Sequence, residues 1–86
     1  MKFVLNQCYG GFGLSDWAEK KLGHSEPPRD DPDFISLVGQ YPDKVSGDCA
    51  ELRVVEIPDN TTDYEIDEYD GFESITYVVD GKIHHA

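Results

Sequence analysis

VVEIPDNTTDYEIDEYDGFE, residues 54–73, is the stretch on which the reading of this chain turns. It contains no Lys or Arg and holds Glu56, Asp59, Asp63, Glu65, Asp67, Glu68, Asp70 and Glu73. A block of like charge is usually a solvated, disordered tail. Here Val55, Ile57, Tyr64, Ile66, Tyr69 and Phe72 are interleaved with the acids. A strand sends alternate side chains to opposite faces, so Tyr64, Ile66 and Glu68 fall on one side and Glu65 and Asp67 on the other. The expectation is a folded strand that buries Tyr64 and Ile66 and carries rows of carboxylates outside.

Beyond it, Asp70-Gly71 marks a turn and Phe72 to Val79 reads as a further strand. Asp80-Gly81 is a two-residue hairpin signal that returns the chain along Lys82 to His85. Before it, Cys49 to Ile57 reads as a strand closed by Pro58-Asp59-Asn60, and Asp43 to Asp48 as a loop. Asp31 as N-cap, Pro32 at the first helical position and Asp33 in the first turn open a helix that Pro42 ends. Ser15 caps a shorter helix from Asp16 to Leu22, with acids in its first turn, Lys20 and Lys21 in its last, and Gly23 to stop it. Lys2 to Cys8 is a first strand, apolar on both faces. The glycine-rich Tyr9 to Gly13 lacks the Lys-Ser/Thr or G-x-G-x-x-G context of a phosphate loop, so it reads as a structural turn with Tyr9 and Phe12 in the core. Strand, helix, helix and a run of strands give one α+β domain over residues 1–86, with an antiparallel four- or five-stranded sheet and two helices on one face. The expected core comprises Phe3, Leu5, Trp17, Phe34, Leu37, Val38, Val54, Ile57, Ile66, Ile75 and Tyr77.

Composition bounds the function. Seven basic against eighteen acidic residues in 86 give a formal charge of −11, which repels nucleic acid and anionic membranes and attracts basic surfaces. Apolar content of 38% with 12% aromatics is that of a folded chain. No apolar run approaches the ~20 residues that span a bilayer, and the N-terminus turns polar too soon for a signal peptide. A cytoplasmic protein is expected. Cys8 and Cys49 match no metal spacing, and buried free thiols are expected.

Four segments together carry a resemblance: Val4 to Ser15 (VLNQCYGGFGLS), Arg29 to Pro32 (RDDP), Leu52 to Asp59 (LRVVEIPD) and Ile66 to Gly71 (IDEYDG). In this order they resemble a family of small, uncharacterised proteins carried by bacteriophages and prophages. The resemblance implies phage origin and a conserved fold, and supplies no activity. After the Tyr69-Asp70-Gly71 turn the chain departs from the family's basic, His-containing ending and reads as a Val-rich hairpin.

Nothing in the sequence assembles into reaction chemistry. His24, His84 and His85 have no partner at a diagnostic spacing, and Ser15 sits in no nucleophile elbow. Asp63 to Asp70 fails the calcium-loop pattern because Glu68 stands where glycine is required. The expectation is a non-enzyme without metal or cofactor, a DNA-mimic-style inhibitor of a basic, nucleic-acid-binding host protein, as an anti-CRISPR or other anti-defence factor is. The expected contacts are Glu56, Asp59, Asp63, Glu65, Asp67, Glu68, Asp70 and Glu73, with Asp30, Asp31 and Asp33 as a second patch. The alternative is an accessory or structural phage protein that self-associates through the C-terminal hairpin, since an uncovered edge strand readily pairs with a second copy. Either a monomer or a homodimer fits.

Overall fold

β1 (Lys2–Asn6) pairs antiparallel with β2 (Leu52–Glu56), setting Phe3 opposite Val55 and Val4 opposite Val54. The computed structural model describes all residues from 1 to 86. Alternation along this pair builds two cores. Val4, Leu52 and Val54 point to one face and meet Ala18, Phe34, Val38 and Val45 from the helices. Phe3, Leu5, Val55 and Ile57 point to the other and meet Ile66, Ile75 and Tyr77. The fold is α+β in three layers: helices, the β1–β2 pair, and an antiparallel sheet of β3 (Asp63–Tyr69), β4 (Phe72–Val79) and β5 (Lys82–His85).

The helices form where their caps dictate. In α1 (Asp16–Leu22) the Ser15 hydroxyl accepts the Ala18 N–H at 3.2 Å, and Gly23, at φ 75°, donates its N–H to the Glu19 carbonyl. In α2 (Pro32–Gln40) the Asp31 carboxylate accepts the Asp33 N–H at 2.9 Å. A third helix, α3 (Pro42–Val45), replaces the expected loop over Asp43 to Asp48. Pro42 stops α2 but is preset for the first position of a new turn. The Ser46 hydroxyl donates to the Pro42 carbonyl, and Val45 is fully buried, which holds that turn against the core.

The single four- or five-stranded sheet of the sequence reading is instead two sheets, of two and three strands. The reason lies at β1's outer edge. Met1 and Ile57 exchange reciprocal main-chain bonds at 2.9 Å, so Lys2, Val4 and Asn6 direct their N–H groups away from β2. The Val4 N–H is taken by the Arg29 carbonyl at 2.8 Å. The Asn6 N–H is taken by the Glu73 carboxylate at 2.9 Å. With a connector and a side chain on that edge, no further strand can add, and the hairpin packs on β1–β2 face to face. The helices cover only the β1–β2 pair.

Glu73, from β4, is 7% exposed. Arg29 grips it with two nitrogens, Nε at 3.2 Å and Nη2 at 2.7 Å, while lying 3.6 Å from the centre of the Phe12 ring. Removing one partner of such a pair leaves a buried charge uncompensated. Arg29→Ala is expected to cost about 2–4 kcal/mol, less than a fully buried pair because Arg29 keeps part of its side chain in water. The double change Arg29→Met with Glu73→Gln retains an oxygen for the Asn6 N–H and removes both charges. Urea titrations should find the double variant more stable than Arg29→Ala alone.

Candidate functional site

Strand β3 positions the acids. Its register sets Asp63 opposite Val78, Glu65 opposite Thr76 and Asp67 opposite Ser74 on the solvent face. Tyr64, Ile66 and Glu68, opposite Tyr77, Ile75 and Glu73, turn towards the other face. Ile66 packs on the core as expected. Tyr64 is 42% exposed and covers Phe3, ring centres 4.8 Å apart, in place of the full burial expected.

Asp63, Glu65 and Asp67 therefore stand in one file along the sheet edge, spaced about 6.6–6.8 Å by the two-residue repeat. Rows of carboxylates across the sheet do not form, because β4 presents Ser74, Thr76 and Val78 beside them. The one acid-to-acid pair across strands is Glu68 with Glu73, on the inner side. Asp63, Glu65, Asp67, Glu68 and Asp70 are all exposed and none forms an ion pair. Three are steadied by neutral groups: Asp63 accepts its neighbour's Tyr64 N–H, Asp67 the Thr76 hydroxyl, and Glu68 the Gly71 N–H, at 2.9–3.0 Å.

The remaining expected contacts separate. Glu73 is withdrawn from any partner surface by Arg29 and burial. Glu56 is exposed at the end of β2. Asp59 is exposed, and the Met1 ammonium at 2.7 Å holds its carboxyl below the ordinary aspartate value, by hydrogen bonding first and charge second. Asp31 is committed to capping α2, while Asp30 and Asp33 are exposed beside it. That helix packs on β1 and β2, so its acids form a separate patch from β3.

Asparagine at position 6 is the residue that sequence reasoning passed over. It is fully buried, donates its amide to the Cys8 and Gly71 carbonyls and accepts the Glu51 N–H, tying β1, β2 and the β3–β4 turn together. The only signal was a polar residue inside an apolar strand. The Thr76 hydroxyl lies between Asp67 and His85 Nδ1, 3.3 Å from the latter. The same hydroxyl donates to the Asp67 carboxylate at 2.9 Å, which links β3 to β4 on the solvent face. No three His, Cys, Asp or Glu side chains come together as a metal cluster. Both cysteines are free, but Cys8 is half-buried and Cys49 exposed, where burial was expected. No helix is long and apolar enough to cross a membrane.

The glycine loop is a packing device. A Cβ on Gly71, which sits at φ 89°, collides with the main chain of Gly11, and one on Gly10 with the main chain of Cys49. Phe12 stands edge-on to Phe34 at the core margin, whereas Tyr9 is 64% exposed against Phe72, in place of the buried position expected. Comparisons of the chain with protein-family models, with curated proteins and with solved structures give no match. Gly71→Ala should lower stability by about 1–3 kcal/mol in urea titration, through strain and lost backbone approach. Gly39→Ala, in α2 with open space around its Cβ, should raise it by roughly 0.5–1 kcal/mol.

Proposed function

We propose that this chain is a non-enzymatic phage-type binding protein that occupies the basic groove of a nucleic-acid-handling host protein and inhibits it, as a DNA mimic does. The carrying observation is the file of exposed, unpaired carboxylates along β3. Their spacing is comparable with that of neighbouring phosphates along a nucleic-acid strand. They belong to a hydrogen-bonded strand, so little order is lost when a basic surface docks. The formal charge of −11 steers basic partners in from beyond contact range. The phage resemblance in residues 4–71 gives such an inhibitor a setting in the host cytoplasm, with anti-CRISPR or other anti-defence action as its specific form.

The test is capture from bacterial lysate on immobilised protein, with duplex DNA as competitor. Nucleic-acid-binding proteins should be retained at low salt and released by DNA or as salt rises past physiological strength, where the screening length is about 8 Å. Glu65→Gln with Asp67→Asn should weaken that retention. Recovery of no nucleic-acid-binding protein at low salt counts against the proposal.

A second reading is self-association through β5. Ile83 is 67% exposed beside Val78 on the uncovered face of the hairpin sheet, which favours it. In that case light scattering finds a dimer that Val78→Glu converts to a monomer and the Glu65 and Asp67 substitutions leave intact. A wild-type monomer at high concentration removes this reading.

A further inference from the structure

Resting on that reading, the geometry points to the open edge of β3 as a strand-addition site for an extended segment of the partner, bearing Lys or Arg at alternate positions. The ladder determines which groups are free. Two-residue turns with left-handed Asp-Gly pairs, Asp70-Gly71 and Asp80-Gly81, close both hairpins. Ile75 and Ala86 exchange reciprocal main-chain bonds at 3.2 and 2.9 Å, so Ile75, Tyr77 and Val79 direct their main-chain groups to β5. Ser74, Thr76 and Val78 then direct theirs to Asp67, Glu65 and Asp63 of β3. What remains is the main chain of Tyr64, Ile66 and Glu68, facing outward. The Tyr64 N–H is answered by the Asp63 carboxylate. The N–H and C=O of Ile66 and Glu68 have no partner of this kind.

The other edges differ. β1's is closed by Arg29 and Glu73. β2's begins closed, since the Leu52 N–H goes to the Ser46 hydroxyl and its carbonyl accepts from Arg53. β5's has only four residues and carries Lys82, His84 and His85. β3 is seven residues long in unbroken register from Asp63 to Tyr69, with no proline and no element packed along its edge; the one irregularity lies just before it, where Thr62 and Asp63 both face Val78 and the Thr62 N–H shares the Val78 carbonyl. Natural edges are usually blunted by one of those devices. Along Ile66 and Glu68 charge alone guards the edge, and charge is selective. A second copy brings Asp63, Glu65 and Asp67 against like charges, whereas a basic strand brings Lys or Arg beside them at cross-strand distance. On the inner side the same strand sets its intervening residues beside Tyr64 and Ile66, which suit apolar partners. Main-chain bonds would hold it and alternate side chains would select it.

The test uses the intact protein and two short blocked peptides alternating Lys and Val, identical except that one is N-methylated at its valines. Hydrogen exchange followed by NMR should show the Ile66 and Glu68 amides exchanging fast in the free protein. The Val4 and Asn6 amides, bonded to Arg29 and Glu73, should be protected without ligand. Adding the unmodified peptide should protect Ile66 and Glu68, and the N-methylated peptide should bind about tenfold more weakly or worse, the effect of losing one or two main-chain bonds. Equal, salt-sensitive binding of both peptides with no protection on β3 overturns strand addition while leaving the acidic-surface reading in place. Failure of both peptides to bind while lysate capture succeeds likewise overturns it, and slow exchange of Ile66 and Glu68 in the free protein shows that the edge is already closed.

Discussion

The carboxylate of Glu73 is the point through which the three layers are joined. It accepts the outward N–H of Asn6 from β1, it is held by two nitrogens of Arg29 from the connector before α2, and it belongs to β4. A buried carboxylate is costly unless charge and hydrogen bonds both compensate it. Here both do, and no buried side-chain nitrogen or oxygen is left without a partner. The ion pair does more than offset its own desolvation. By filling β1's free edge it decides that five strands divide into a pair and a triplet rather than one sheet.

That division explains how so acidic a strand folds. Neighbouring carboxylates about 6.7 Å apart in water repel by roughly 0.6 kcal/mol each. Fully burying one Ile side chain contributes about 1.5–3 kcal/mol, and partly buried Ile66, with Tyr64 over Phe3, gains a share of that against the cluster of Phe3, Leu5, Ile57 and Ile75. Packing on one side of β3 therefore outweighs repulsion on the other. Opposite the acids, β4 supplies neutral Ser74, Thr76 and Val78, so no like charge stands across the strand on the solvent face.

A free edge in one place and a closed edge in another have different physical origins. Closure at β1 comes from residues distant in sequence, Arg29 and Glu73, brought together by the layers. Protection at β3 is local, carried by the strand's own acids. The first kind is indifferent to what approaches. The second discriminates by charge, which is why the acidic file and the unpaired main chain belong together in the proposed mode of binding.

Much of the local structure was legible in the chain because its causes lie within a few residues. Ser15 and Gly23 bound α1, Asp31 and Pro32 open α2, and the Asp-Gly pairs place both hairpin turns, since caps and tight turns answer to their own side chains and φ values. Alternation likewise marked Ile66 and Ile75 for the core. The α+β class followed from the order of these elements. The acidic residues themselves were readable, but not their sorting. Glu73 looks like its neighbours in sequence and differs only because Arg29, 44 positions away, reaches it. The split of the sheets, the burial of Asn6, the close approach of Gly71 to Gly11 and the open edge of β3 all depend on contacts between segments far apart in the chain. Pattern and propensity have no term for such contacts, and the packing of the layers alone decided them.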